Sequence, residues 1–134
     1  GETPPFIEKE EQMTANEIYR SVLALMFMDD GDAEEYQKNF LVQLNMKLEE
    51  CFEANNSVRL ARGKQALLEP PLILQLEDEV PYEFELIRSV IPLGIAGDLY
   101  ADDDETGISN DYRERYLAWK GQKVRARFCP VEVE

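Results

Sequence analysis

The sequence predicts a mainly α fold: a small bundle of about four helices in two hairpins, with a short extended segment and a strand-like C-terminal tail. Three observations predict it. Apolar residues recur at helical spacing in four separate stretches. Aspartate-rich turns, "MDDGD" and "ADDDE", part the members of each pair. The chain has 134 residues, 44% of them apolar and 31% charged, which suits one globular domain with a sizeable core.

Residues 1–13 are rich in Pro and Glu, and they read as a flexible leader. Residues 14–121 form the helical domain, and residues 122–134 an extended tail. Thr14 and Glu17 make a capping box that opens the first helix. Ile18, Val22, Leu25 and Met26 give it an apolar stripe, widened by Tyr19, Leu23 and Phe27. Gly31 offers a left-handed stop. The second helix spans about 33–54, with Asp32 as N-cap. Its stripe is Tyr36, Phe40, Leu44, Leu48 and Cys51, and Asn55-Asn56 closes it.

Gly63, Pro70 and Pro71 break the pattern that follows. "LILQL", residues 72–76, is a short strand-like run whose prolines suit an edge. Arg59, Arg62 and Lys64 form the basic patch of the first half. A third helix starts near Pro81, with Phe84, Ile87, Ile91 and Ile95 on one face and Glu83 and Glu85 near its positive end. Pro92 should bend or break it. Gly94 and Gly97 leave room for another helix. The fourth helix runs from about Ser109 to Lys120, carries Tyr112, Tyr116 and Trp119 on one face, and stops at Gly121. Val124, Ala126 and Phe128 then alternate with Arg125 and Arg127, a period of two that predicts extended structure.

A core follows from the stripes: Phe40, Leu44, Leu48, Ile87, Ile91 and Tyr116 should be buried together. Interface candidates follow from the extended runs. Bare strand edges invite strand addition, so Leu72, Ile73 and Leu74 and the tail residues Val124, Arg125, Arg127, Phe128 and Val131 are expected to form subunit contacts.

The composition excludes several chemistries. With no histidine, Ser-His-Asp and Cys-His catalysis are ruled out. No glycine cluster could cradle phosphate. Cys51 and Cys129 are far apart and in no metal-like spacing; two cysteines could form one disulfide, but the pattern better suits a reduced intracellular protein with one core and one tail thiol. The formal charge of −14 repels phosphate backbones and argues against DNA binding by the whole surface.

The acidic stretch Asp102-Asp103-Asp104-Glu105 invites a calcium reading. With Gly107 at the sixth loop position, Asp102, Asp104 and Thr106 fit the first, third and fifth. Ile108 falls one place early, however, and the cation Arg113 holds the place of the bidentate glutamate. The stretch therefore reads as a polar turn that caps a helix. No catalytic residue, metal ligand or cofactor is assigned.

The order of these features resembles the head–tail connector (adaptor, or head completion) proteins of tailed bacteriophages. Over roughly residues 14–121, an amphipathic helix pair precedes "PPLILQLEDEVP". The apolar helix "YEFELIRSVIPLGIAGDLYADDDE" follows, and then "NDYRERYLAWKG" with Asp111-Tyr112 and Tyr116. The resemblance implies a non-enzymatic subunit of a ring in the virion neck, made in the bacterial host cytoplasm. Its implied partners are further copies of itself and portal or tail-completion proteins. DNA would pass close by without sequence-specific binding, and no membrane would be involved. The acidity also suggests an alternative, a small inhibitor that imitates DNA charge toward a DNA-handling enzyme.

Overall fold

The computed structural model describes residues 12–28, 34–102 and 105–128; the side chains at positions 34–36, 38, 102 and 123–128 lie outside that description. The elements, in order, are β1 (Met13–Thr14), α1 (Ala15–Leu25), α2 (Glu34–Glu50), α3 (Phe52–Ala61) and β2 (Glu79–Val80). A π turn (Leu86–Val90) then leads into α4 (Ile91–Asp102), and α5 (Thr106–Phe128) follows. The fold is a small, mainly α bundle with one antiparallel two-residue ladder, in which Met13 faces Val80 and Thr14 faces Glu79.

The capping box forms as expected. Thr14 Oγ1 accepts from Glu17 N at 3.2 Å, and Thr14 N donates to Glu17 Oε1 at 2.9 Å. Two further donors at the helix start, Ala15 N and Asn16 N, bond to Asp78 O and Leu76 O at 2.8 and 2.9 Å. Met13 thus belongs to the ladder that fixes the start of α1, not to the leader. Residues 1–11 lie outside the described residues. The helix ends before Gly31: Phe27 takes the left-handed conformation (φ 57°), and Met28 N bonds back to Leu23 O at 2.9 Å. The hydroxyls of Tyr112 and Tyr100 donate to Leu25 O at 3.0 and 3.5 Å. They satisfy one of the carbonyls that any helix end leaves without a partner.

The second predicted helix runs further than expected. Cys51 N bonds to Lys47 O at 2.9 Å and Asn55 N to Cys51 O at 2.8 Å, so the backbone ladder passes through the irregularity at Cys51 into α3. Asn55 and Asn56 do not close it. Asparagine disfavours helices because its amide competes for nearby backbone groups. Here both side chains point inward to distant segments instead. Asn56 bonds Leu67 through both its amide atoms, and Asn55 Oδ1 accepts from Glu83 N, although Asn55 Nδ2 is buried without a partner among the described residues.

Pro92 is absorbed without a break. Ile91 N–H bonds to Leu86 O, five residues back, so the chain widens into a π turn just before the proline. The carbonyl that Pro92 would have served belongs to Arg88, an exposed residue. Beyond it, α4 is apolar on nearly every side and is the central helix, packed against α1, α2 and α5. Gly94 and Gly97 allow the close approach of α5: a Cβ on Gly94 would lie 2.8 Å from the Tyr116 ring, and one on Gly97 would lie 3.1 Å from Arg113. The α4–α5 pair is the predicted second hairpin. In the first pair, α1 leans more on α4 than on α2 and meets α2 through Tyr19 and Phe40, whose ring centroids are 4.9 Å apart.

Two segments expected to be extended strands are not. "LILQL" forms no strand; the ladder strand lies later, at Glu79–Val80. The start of the predicted tail is helical, because α5 passes Gly121 and continues to Phe128. Gly121 weakens a helix without ending it, and Gln122, Lys123, Arg125, Ala126 and Arg127 all favour helix. Residues 129–134 are outside the described residues. The predicted core is correct: Phe40, Leu44, Leu48, Ile87, Ile91 and Tyr116 belong to one buried cluster. Among the described residues, no helix is long and apolar enough to cross a membrane.

Candidate functional site: an ordered loop that holds leucines in solvent

Residues 64–78 join α3 to β2 with no helix or strand, yet they are held at several points. Asn45 on α2 grips Ile73 from both sides: Nδ2 donates to Ile73 O at 3.0 Å, and Oδ1 accepts from Ile73 N at 2.8 Å. Asn56 on α3 does the same to Leu67, at 3.1 and 2.8 Å. Asp78 Oδ2 accepts from Leu74 N and Gln75 N at 3.0 and 3.2 Å. These two backbone donors hold the Asp78 carboxyl below the usual range. In each amide clamp, one side chain replaces the two hydrogen bonds that a neighbouring strand would supply.

The clamps fix a pattern of side chains. Ile73 is buried at 4% exposure, whereas Leu68, Leu72 and Leu74 are 99%, 69% and 73% exposed. Beside the Ile73 clamp, Val42 and Met46, each within a turn of Asn45, are also exposed. A loose loop would fold such leucines inward. This one is held at backbone atoms, and the leucines stay in solvent.

The predicted interface residues therefore divide. Leu72 and Leu74 lie on this surface, and Ile73 anchors it from within. Val124, Arg125, Arg127 and Phe128 fall on the last turns of α5, and Val131 lies outside the described residues. Neither 72–74 nor 124–128 is a strand, so these segments present no bare strand edge of the kind expected.

Two ion-pair networks support the frame. Glu83, 4% exposed, receives Arg59 Nη1 at 3.3 Å, Arg62 Nη1 at 2.7 Å and Lys64 Nζ at 3.0 Å. Its backbone N donates to Asn55 Oδ1 at 2.6 Å. Arg62 also pairs with Glu85. Burial alone would push the Glu83 carboxyl up. Hydrogen bonds from Lys64 and Arg62, and the charges of both, outweigh it and hold the carboxyl below its ordinary value. The predicted basic patch is thus the counter-charge of one buried carboxylate, and it ties the end of α3 to the entry of the π turn.

The second network surrounds Lys47. Its Nζ is 2.7 Å from Asp98 Oδ2 and 3.4 Å from Glu50 Oε1, and 5.3 Å from the centre of the Tyr116 ring. Arg113 Nη2 meets Asp98 Oδ1 at 2.9 Å. The residue that blocks a calcium loop in the sequence is thus bound to α4. Tyr116 donates to Glu50 Oε1 at 2.6 Å, and Cys51 Sγ lies 3.4 Å from the same hydroxyl. Burial pushes the Cys51 thiol up to about 11, although Tyr116 and Lys120 pull the other way. Burial likewise raises the Tyr116 hydroxyl well above its usual value, and Cys51 adds to the rise. A thiol so buried supplies no thiolate at neutral pH; this cluster joins α2 to α5.

No family model, curated protein or solved structure matches the chain. The functional reading therefore rests on the geometry of this surface and on the resemblance carried by the sequence.

Proposed function

We propose that this chain is a structural subunit of a phage head–tail connector, a ring that joins portal to tail and through which DNA passes. The observation that carries the reading is the clamped loop with Leu68, Leu72 and Leu74 in solvent. Exposing large apolar side chains on an ordered backbone is unfavourable for a free monomer and is characteristic of a surface that meets a partner. Phe27 adds to it: it is 88% exposed and holds a left-handed backbone conformation that costs a bulky residue about 1–2 kcal/mol. Strain kept on an exposed aromatic is a reason to expect a contact there. The body around these residues is strongly acidic, which suits a wall that DNA slides past without adhering.

A DNA-mimicking inhibitor would need its carboxylates displayed. Glu50, Glu83, Glu85, Asp98 and Asp111 pair with cations of the same chain, and the clamped, exposed leucines, which a charge mimic does not need, favour the assembly reading. The test is electron microscopy of the concentrated chain, alone and mixed with a phage portal protein. Rings, or an added layer on the portal, are expected. A chain that stays monomeric in both samples contradicts the reading.

A further inference from the structure

The described surface carries a second apolar feature, and it is concave. A groove of about 420 Å³ runs between α1 and the π turn, lined by Ala24, Leu25, Arg88, Ser89, Pro92 and Leu93. Its volume is that of a small binding cleft. The π turn shapes one wall, where Arg88 and Ser89 are both exposed.

The groove lies at the C-terminal end of α1, and the leucine loop is tied to α2 by Asn45 and to the start of α1 through Leu76 and Asp78. A ridge of one copy that seats in a separate groove of the next pairs unlike patches, and such contacts repeated head to tail close into rings or grow into filaments.

Charge selects the same partner. A chain of net charge −14 repels its own copies, so a self-contact needs a cation facing carboxylates. The groove offers Arg88, whose guanidinium lies over the Phe84 ring at 4.9 Å. The loop offers Glu69 and Glu77, exposed on either side of Leu72 and Leu74.

We propose that copies of this chain bind one another head to tail, with Leu72 and Leu74 of one copy seated in the Leu25–Arg88–Leu93 groove of the next. The inference rests on the connector reading and names the contact that would build the ring.

The test places a photo-reactive benzophenone amino acid at position 72 of the full chain, in a mixture of isotopically light and heavy protein, alone and with the portal. Cross-links between light and heavy chains are expected on the peptides that carry Leu25 or Arg88–Leu93. A second arm uses Leu72→Asp/Leu74→Asp and Ser89→Trp, all at exposed positions, with folding checked by circular dichroism. Each variant alone should sediment as a monomer. A one-to-one mixture should form a dimer and nothing larger, because each partner keeps one intact surface.

Rings with cross-links on other peptides, or on the portal alone, overturn the docking and leave the connector reading standing. So does a mixture that stays monomeric while the wild type assembles. A wild-type chain that never assembles, alone or with the portal, overturns both.

Discussion

Asn45 holds Ile73 by both faces of its peptide, at 3.0 and 2.8 Å, across 28 residues of sequence. A single amide on α2 thus decides where the exposed leucines on either side of Ile73 stand. Asn45→Ala should cost about 1–3 kcal/mol, since two backbone groups lose their partner. It should also raise amide exchange in residues 72–75 while leaving α4 and α5 protected. Hydrogen exchange read by mass spectrometry checks both. Uniform loss of protection would mean that the clamp is part of the core rather than of the loop.

Gly94→Ala should destabilise strongly. Its methyl group would meet the Tyr116 ring at 2.8 Å, and a buried ring with bonds to Glu50 and Cys51 has little room to move. Overpacking of this kind costs about 1–3 kcal/mol, despite the better helix propensity of alanine. Gly107→Ala, where no atom lies within reach of the new group, is the control, and it should be neutral or slightly stabilising. The urea midpoints of the two variants should move in opposite directions or by clearly different amounts.

Phe27→Gly should stabilise the chain by about 1 kcal/mol, because glycine takes the left-handed conformation without the Cβ penalty and an 88% exposed ring has little burial to lose. Thermal melts test it. A fall in melting temperature would show that Phe27 packs better than its exposure indicates.

Glu83 makes stability depend on pH. Its carboxyl is held below the ordinary value, so its contribution is complete above about pH 4.3, the unfolded glutamate value. The contribution is lost as pH falls through the folded value. At pH 7, Glu83→Gln leaves Arg59, Arg62 and Lys64 without their shared partner. Breaking a buried pair costs roughly 3–5 kcal/mol, and the lower end applies because the three cations reach solvent. The gap between wild type and variant should shrink by pH 3. Urea melts at the two pH values check the sign; a constant gap would mean that Glu83 acts through packing.

What was legible in the sequence was local. Thr14 and Glu17 are three residues apart, and their box is drawn as expected. The stripe Phe40-Leu44-Leu48 follows from helical spacing alone, and Gly94 and Gly97 mark where another helix approaches. What was not legible joins distant segments. Asn55 and Asn56 look like a helix end because asparagine usually bonds nearby, but their partners, Glu83 N and Leu67, lie 28 and 11 residues away. Arg59, Arg62 and Lys64 look like a surface patch until Glu83 is folded between them. Val124 to Phe128 shows a period of two over only five residues, too few to outweigh helix-favouring neighbours. For the candidate surface, Leu72 and Leu74 were legible in the sequence, but Leu68 was not, nor were the amides that hold these leucines outward and Ile73 inward.

The proposed assembly role stands or falls on the clamped leucines. The most direct measurement is electron microscopy of the portal mixed with wild-type chain or with Leu72→Asp/Leu74→Asp, with the folding of both chains confirmed by melting temperature. The expected result is an added ring with wild type and a bare portal with the variant, at equal melting temperatures. A variant that decorates the portal as fully as wild type would contradict it.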